Sequence, residues 1–234
     1  MTEQVTVLRN FSRIVFFTGA GLSAESGIPT YRGHGGIWKQ YNYKEYACQR
    51  AFDRDPEKVW DFHDVRRGRV AACAPNAGHG IIAAVQREKP GTVVITQNID
   101  GLHQRAGARE VIELHGSLWR VRCDRDGVIV ANDQVPIHPR RCACGDYWRP
   151  DIVWFEDSLN PEVLERAGDA LARCDAIVSV GTSGVVYPAA ELPRIAVRNG
   201  AVSIEINPED TPVSHLYRHR IRATASEALA TLWG

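Results

Sequence analysis

The chain has 234 residues, of which 44% are hydrophobic and 24% are charged, and its 28 basic and 28 acidic residues give a formal net charge of zero. This composition is typical of a globular protein with one core-bearing domain, and it provides no overall attraction to nucleic acid or membrane. No apolar run is long enough to span a bilayer, and the first ten residues lack the layout of a signal peptide. We therefore expect a cytoplasmic protein without nucleic-acid or membrane partners.

Apolar runs and helical patterns alternate along the chain. Strands are predicted over residues 13–18, 92–96, 111–114, 176–180 and 201–206. Helices are predicted to begin at Asp55-Pro56, Pro75 and Asn160-Pro161, and to cover residues 188–199 and 226–233. Because the strands are apolar runs with little alternation, the pattern favours a parallel sheet covered by helices on both faces. With right-handed crossovers, this is an α/β fold with a Rossmann-like doubly wound sheet.

Small or polar residues follow four of the predicted strands. These segments are Gly19 to Ser23, Gln97 to Asp100, His115-Gly116 and Gly181 to Gly184. Ligands bind at the carboxyl ends of the strands in an open parallel sheet. The two Gly-rich segments let backbone amides approach a phosphate, whereas the other two supply an amide, a carboxylate and an imidazole. The combination indicates a nucleotide site with a general base beside it.

Each segment has a simpler explanation when it is taken alone. Gly19-Ala20-Gly21 fits a turn, and it does not extend to the dehydrogenase fingerprint G-x-G-x-x-G because position 24 is alanine. His115 fits a structural histidine, and Asn98 and Asp100 fit a turn and a helix cap. The functional interpretation is favoured because all the segments fall at strand ends of one inferred sheet.

Four segments also match the signatures of a known family, in the family's order. Residues 19–33, GAGLSAESGIPTYRG, resemble the sirtuin signature GAG-x-S-x-x-SGIP-x-[FY]-RG, and residues 96–103, TQNIDGLH, resemble the second signature. Leu114-His115-Gly116 and Gly181-Thr182-Ser183 resemble the third and fourth. By this resemblance the chain is identified as a bacterial-type sirtuin, most similar to the class III, desuccinylase-like branch.

Sirtuins couple the removal of an acyl group from a protein lysine to the cleavage of NAD, which yields nicotinamide and O-acyl-ADP-ribose. The resemblance implies an enzyme that uses NAD as cofactor and acylated lysine in proteins as substrate. The implied catalytic residues are His115 as general base, Asn98 at the ribose and Asp100 at the nicotinamide carboxamide. The implied NAD-binding residues are Gly19, Ala20, Gly21, Ser23, Tyr31, Arg32, Trp38, Gln97, Asn98, Ile99, Asp100, Gly181, Thr182, Ser183, Asn207 and Ala225.

The family segment V-V-x-F-G-E, which pairs with the substrate peptide as an added strand, corresponds to residues 152–157 here. Val153 and Phe155 are the implied peptide contacts. Glu156 stands where the family has glycine, which puts the detail of the peptide clamp in question.

Class III sirtuins carry Tyr-x-x-Arg in the acyl pocket, and His63 and Arg66 occupy the matching positions. An arginine fork binds a carboxylate bidentately, so we expect acidic acyl groups such as succinyl to be accepted alongside acetyl. The alternative is that Arg66 belongs to a solvated helix face.

Three of the six cysteines, Cys48, Cys73 and Cys174, lie among apolar neighbours and are predicted to be small buried residues. The other three concern zinc, which sirtuins commonly hold with two C-x-x-C pairs. Here Cys123 lacks its partner and the second pair is shortened to Cys142-Ala143-Cys144, with Asp126 or His138 as candidates for a fourth ligand. We expect packing around Val121 and Trp148 to hold this region rather than zinc. If zinc binds, Cys123, Cys142 and Cys144 are its structural ligands.

The resemblance implies a single sirtuin-type domain over residues 1–234. We expect a large lobe from residues of about 1–31, 72–118 and 151–234, a helical insert at about 32–71, and a small zinc-ribbon-like lobe at about 119–150. Mono-ADP-ribosyl transfer and NAD hydrolysis use the same NAD site and are the alternative functions. A binding-only reader is disfavoured because it would not need a base such as His115, and the oligomeric state stays open.

Overall fold

The computed structural model describes residues 8–31, 36–37 and 41–234. Nine strands occur in this part of the chain: β1 (Ile14–Thr18), β2 (Val93–Thr96), β3 (Val111–Glu113), β4 (Gly116–Arg122), β5 (Ile129–Ala131), β6 (Arg149–Ile152), β7 (Ala176–Val180), β8 (Val202–Ile206) and β9 (His219–Ile221). Six of them form one sheet in the order β3-β2-β1-β7-β8-β9, with every neighbouring pair parallel. This is the Rossmann strand order. The direction of winding changes between β1 and β7, which are the first and fourth strands of this sheet along the chain. The predicted fold class is confirmed.

Helices connect the strands of this sheet. The described α-helices are α1 (Ala20–Ala24), α2 (Tyr43–Tyr46), α3 (Gln49–Arg54), α4 (Pro56–Ala71), α5 (Ala77–Glu88), α6 (Leu102–Arg105), α7 (Pro161–Arg173), α8 (Pro193–Arg198) and α9 (Ala225–Trp233), with 3-10 turns at Leu8–Asn10, Ala189–Glu191 and Ser214–Leu216. None of the helices in the described ranges is long and apolar enough to cross a membrane.

The two faces of the sheet are buried in two separate apolar clusters. Successive residues of a strand point to opposite faces, so Phe16 packs with Ile82 of α5 and Leu229 of α9, while Phe17 packs with Leu171 of α7. All five residues of β1 are buried. Burial on both faces explains why the strands are unbroken apolar runs rather than alternating ones.

A second sheet of three antiparallel strands, in the order β5-β4-β6, packs against α4. Its core contains Val59 and Trp60 of α4, Leu118 and Val121 of β4, and Trp154 just beyond β6.

Arg67 of α4 is 1% exposed and reaches into this region. Its guanidinium donates to the carbonyl oxygens of Leu118 at 2.6 Å, Asn132 at 2.8 Å and Gln134 at 2.9 Å. A charged group is tolerated at this burial because each of these hydrogen bonds satisfies one of its donors. Arg67 thereby joins the helix to both ends of the 118–134 segment.

The structure contains elements that were not predicted, including β4, β5, β6, α1, α2, α3 and α6. Three further differences have a local explanation. The helix predicted over 188–199 is divided, because Pro193 cannot donate a backbone hydrogen bond and instead begins α8. The helix predicted from Pro75 begins at Ala77, where the Asn76 side chain caps it by accepting from the backbone N–H of His79. β9 was not predicted, because three half-exposed or exposed residues give no apolar run.

Candidate functional site

His115 lies in the turn between β3 and β4 and lines a cavity of about 360 Å³. Its Nδ1 is 3.0 Å from the backbone oxygen of Gln97. A carbonyl oxygen only accepts, so Nδ1 carries the ring proton and Nε2 keeps a free lone pair. Burial lowers the pKa of His115 below its usual 6.5, although the bond to Gln97 works in the opposite direction. The side chain is therefore a neutral base at pH 7.

Asn98 and Asp100 follow β2 and are tied through Ser23 to α1, the short helix after β1. The Ser23 hydroxyl donates to Asp100 Oδ2 at 2.7 Å and accepts from Asn98 Nδ2 at 3.2 Å. Asn98 also donates to the backbone oxygen of Gly19 at 3.0 Å, and the other Asp100 oxygen accepts from the N–H of Leu102 at 2.9 Å. Burial raises the pKa of Asp100, against these hydrogen bonds. Two strand ends are thus locked into one polar cluster.

A second layer of polar groups lies beneath this cluster and was missed by the sequence analysis. Thr18 ends β1 and donates to Thr96 at 2.8 Å, and Thr96 also accepts from the N–H of Asn98 at 3.0 Å. His103 Nε2 is 2.9 Å from the Thr18 hydroxyl and its ring packs against His79, with centroids 5.1 Å apart. Threonine as the last residue of two adjacent buried strands is the signal that could have revealed this layer.

The start of α1, after β1, and the turn after β7 approach each other so closely that only glycine fits. Gly21 donates to the backbone oxygen of Gly181 at 2.9 Å. A Cβ on Gly21 would lie 2.6 Å from Gly181 Cα, and one on Gly181, whose φ is 61°, would lie 2.4 Å from the N of Leu22. This is the switch point of the strand order, where a Rossmann-like sheet opens a crevice for ligands.

The cavity at His115 brings together residues from both predicted ligand sites. From the predicted NAD set it is lined by Gly19, Ala20, Tyr31, Gln97, Asn98, Ile99, Thr182 and Ser183. From the predicted substrate set it is lined by Arg66, Val153 and Phe155. One space therefore holds the base, the strand ends and the segment expected to bind a peptide.

A second cavity, of about 670 Å³, adjoins the first through shared wall residues that include Ala20, Asn98 and Arg66. Ser23 and Asp100 also line it. The Arg66 guanidinium donates to the Tyr31 hydroxyl at 2.5 Å and lies over the rings of Tyr31 and Phe62. Arg66 is therefore a wall residue of both cavities and not a member of a solvated helix face.

Other predicted residues do not line these cavities. His63 is fully buried, stacked on Trp154 with ring centroids 6.0 Å apart, and neither lining includes it. Asn207 and Ala225 are also absent from both linings. Asn207 donates to the backbone oxygen of Thr182 at 2.8 Å, and Ala225 is buried in the core at the start of α9. Arg32 and Trp38 lie outside the described residues.

Comparison with known proteins agrees with this geometry. The model of the Sir2 family matches residues 19–188, which is more than half of the chain. The chain belongs to the Sir2 family. It is 46% identical over 223 residues to the NAD-dependent protein deacylase of Aquifex aeolicus, covering 94% of this chain and 93% of that protein. It is 42% identical over 243 residues to NAD-dependent protein deacylase 1 of Pseudomonas aeruginosa, covering 99% and 97%.

Solved sirtuin structures share the fold. A Sir2 homologue in complex with NAD is 43% identical with a TM-score of 0.88, covering 95% of this chain and 88% of that chain. A Sir2 structure with a deacetylated p53 peptide and 3'-O-acetyl ADP ribose is 33% identical with a TM-score of 0.85, covering 95% and 93%. The recognition of a sirtuin from its motifs is confirmed.

In this sirtuin, Cys123, Asp126, Cys142 and Cys144 bring four ligand atoms within 4.8 Å of one another. The Sγ atoms of Cys123 and Cys144 are 3.5 Å apart, and Cys142 Sγ is 3.6 Å from Asp126 Oδ2. Tetrahedral zinc with thiolate ligands requires sulfur atoms about 3.8 Å apart. Asp126, one of the two candidates for a fourth ligand, is the fourth member of this cluster, while His138 is not in it. The spacing of these four ligand atoms therefore suits a zinc ion, contrary to the expectation that packing alone holds this region.

Of the three cysteines expected to be buried, Cys48 and Cys174 are buried, whereas Cys73 is half-buried.

Proposed function

We propose that this sirtuin is an NAD-dependent protein-lysine deacylase that releases nicotinamide and O-acyl-ADP-ribose. The observation that carries the proposal is His115, whose Nδ1 is held by the Gln97 carbonyl while Nε2 is free in a cavity shared with Asn98 and Phe155. The relatives named as NAD-dependent protein deacylases, and the neighbour bound to a deacetylated peptide and an acetyl ADP-ribose, support the same activity.

NAD, when bound, supplies the ribose carbon to which the acyl oxygen becomes attached as nicotinamide leaves. With NAD bound, His115 Nε2 would accept a proton from a ribose hydroxyl, which would make that oxygen nucleophilic. The Gln97 carbonyl then stabilises the protonated ring through Nδ1–H. Asn98 is fixed by Ser23 and Gly19 so that its amide presents a constant surface to the ribose. Asp100, held by Ser23, would bind the nicotinamide carboxamide beside Ile99.

We assign the remaining NAD contacts by the same reasoning. Gly19, Ala20, Gly21 and Ser23 would line the diphosphate, and Tyr31 with Arg32 and Trp38 would cover the reactive ribose. Gly181, Thr182, Ser183, Asn207 and Ala225 would face the adenosine half. For the residues that follow β1, β7 and β8, the support is their position at or near the carboxyl ends of these strands, where a doubly wound sheet binds its ligand. Tyr31, Arg32, Trp38 and Ala225 are assigned by the family resemblance alone.

The test is mass spectrometry of acetyl-lysine and succinyl-lysine peptides incubated with the protein, with and without NAD, while nicotinamide is measured in parallel. Loss of the acyl group only with NAD, matched by O-acyl-ADP-ribose, is expected. Nicotinamide release that is equal with and without peptide would instead identify an NAD hydrolase. Transfer of ADP-ribose to protein without deacylation would identify an ADP-ribosyltransferase.

We propose further that acidic acyl groups are accepted alongside acetyl, with Arg66 as their binding residue. Its guanidinium lines both cavities and already binds the hydroxyl of Tyr31, so a bidentate contact with a carboxylate needs only a small rearrangement. His63 would influence the acyl pocket indirectly, through its packing against Trp154.

We also propose that Cys123, Asp126, Cys142 and Cys144 hold a structural zinc ion. Zinc with three thiolates and one carboxylate would crosslink the two turns that carry these ligands. Metal analysis of the purified protein is expected to find one zinc per chain, and Cys144→Ala is expected to lose it. Asp126→Cys is expected to bind zinc more tightly in a competition with a chelator. A protein without zinc whose thermal melting is unaffected by chelators would rule the site out.

A further inference from the structure

Glu156 has an unusual backbone conformation. Among the described residues it is the single non-glycine residue with positive φ, at 76°. A side chain is disfavoured there because Cβ crowds the neighbouring carbonyl oxygen. The family has glycine at this position, so the glutamate side chain is present despite its conformational cost. A strained residue of this kind is a reason to look for a function in its side chain.

The residues around Glu156 hold it in this conformation. The N–H of Phe155 donates to the backbone oxygen of Ala47 at 3.0 Å, and the N–H of Asp157 donates to that of Trp154 at 3.1 Å. The Asp157 carboxylate also accepts from the N–H of Trp154 at 3.0 Å and pairs with Arg149. Because the turn is fixed on both sides, the direction of the Glu156 side chain is fixed as well.

Glu156 is one of the residues that line the cavity containing His115. Its carboxylate accepts from Arg50 Nη2 at 2.6 Å, and the two side chains are 49% and 80% exposed. Ion pairs this exposed contribute little to stability. Arg50 is not among the cavity-lining residues, so a cation inside the cavity can replace it on the carboxylate.

A second feature of the same cavity also favours a cation. Tyr187 lines it and is 66% exposed, and an accessible phenol ring attracts guanidinium and ammonium groups through its face. Of the two carboxylates in the wall, Asp157 pairs with the buried Arg149, so Glu156 is the one whose partner is exposed.

We propose that Glu156, together with Tyr187, binds an arginine or lysine that flanks the acyl-lysine, so that this sirtuin prefers basic peptide sequences. The proposal rests on the deacylase function, and it assigns a substrate class to the segment that the family uses for peptide pairing. In the complex, the substrate cation takes the place of Arg50 on the Glu156 carboxylate.

The experiment measures both the Kd and the kcat/KM of acetyl-lysine peptides that differ only by arginine, alanine or glutamate at each flanking position in turn. The wild-type protein is expected to favour arginine over alanine by about three- to tenfold at one of these positions. Glu156→Gln and Tyr187→Leu are each expected to reduce this ratio. Arg50→Gln is expected to increase it, because the carboxylate then has no competing partner.

Glu165→Gln is the matched control, since Glu165 is an exposed glutamate on α7 outside the cavity, and its ratio should equal that of the wild type. Glu156→Gly, which also removes the positive-φ side chain, guards against misfolding of the glutamine variant and should lower the ratio equally. A ratio that stays at the wild-type value in both Glu156 variants would overturn the proposal. The Kd ratio decides this even if no peptide is deacylated, an outcome that would count against the deacylase function instead.

Discussion

The carboxyl edge of the large sheet and the wall formed by α4 and residues 152–157 face the same cavities but are built differently. At the sheet edge, backbone meets backbone, as between Gly21 and Gly181, and short side chains such as Ser23 close the polar cluster. At the wall, long side chains such as Arg66 form the surface, and their directions depend on what packs behind them. The edge therefore tolerates few substitutions. The wall can vary in sequence, and its side chains can thereby determine substrate specificity.

The largest effect is expected at the edge, from His115→Ala. Deacylation should fall by about 10²- to 10⁴-fold, because the general base is removed. His215→Ala is the matched control, since His215 is exposed and its Nδ1 also contacts a carbonyl oxygen, that of Pro212, at 3.0 Å. Steady-state kinetics with an acetyl peptide measures both. A His115→Ala protein with near-normal turnover would contradict the assignment of the base.

The difference between edge and wall also explains what the sequence could predict. At the edge, the sequence predicted which glycines and polar residues follow the apolar strands, because close backbone approach allows only glycine and the polar groups come soon after apolar runs. It did not predict the layer of Thr18, Thr96 and His103 beneath them. At the wall, the sequence placed His63 beside Arg66 in the acyl pocket, but in the structure His63 is buried against Trp154 and lines neither cavity. Helix periodicity shows that the two residues share a helix, but not which side the aromatic residues of other segments will cover.

The metal ligands illustrate a similar limit. The sequence offered three cysteine ligands, Cys123, Cys142 and Cys144. Whether Asp126 or His138 joins them as the fourth ligand depends on how two turns fold against each other. No local pattern in the sequence encodes that contact.

The next effect is the pH dependence of the free energy of unfolding. It involves both regions, because each contains buried histidine. Burial lowers the pKa of His79 to about 4 and that of His103 to about 3, and it lowers the pKa of His63 as well. Below pH 6.5 the unfolded chain takes up protons on these groups and the folded chain does not, so stability falls as pH falls. The expected loss between pH 7 and pH 5.5 is about 4 kcal/mol for the three together.

Urea unfolding at pH 7 and at pH 5.5 measures this loss. Equal unfolding free energies at the two pH values would show that these histidines become protonated in the folded protein. Deacylase activity is not expected to follow this loss of stability. His115 also has a lowered pKa, so it stays a neutral base down to a pH below 6.5.

A smaller effect tests the close approach at the edge. Gly21→Ala should lower the free energy of unfolding by about 1–3 kcal/mol, because the new Cβ would meet backbone atoms that cannot move independently. Gly80→Ala is the control, since Gly80 lies in α5 and an added Cβ there would meet no neighbouring atom within 4 Å, so alanine should stabilise by up to about 1 kcal/mol. Chemical denaturation of the two variants should give opposite signs. Changes of the same sign in the two variants would contradict the explanation by steric overlap at Gly21.

A test of the wall changes specificity and not stability. Arg66→Met should lower kcat/KM for a succinyl peptide about tenfold more than for an acetyl peptide, because methionine keeps the apolar stem but cannot bind a carboxylate. Competition between the two peptides in one reaction, followed by mass spectrometry, measures the ratio directly. An equal loss of both activities would mean that Arg66 supports the cavity generally, through Tyr31, and does not select the acyl group.

The smallest effect is expected from His63→Phe, on the same helix. His63 is surrounded by the rings of Trp60, Phe62 and Trp154, so phenylalanine should change stability at pH 7 by less than about 1.5 kcal/mol. Relative to the wild type, the variant should gain about 1 kcal/mol between pH 7 and pH 5.5, because one histidine that resists protonation has been removed. Its ratio of desuccinylation to deacetylation should match that of the wild type. A shift in this ratio as large as that of Arg66→Met would mean that His63 acts on the acyl group after all, and that the wall is arranged differently when substrate is bound.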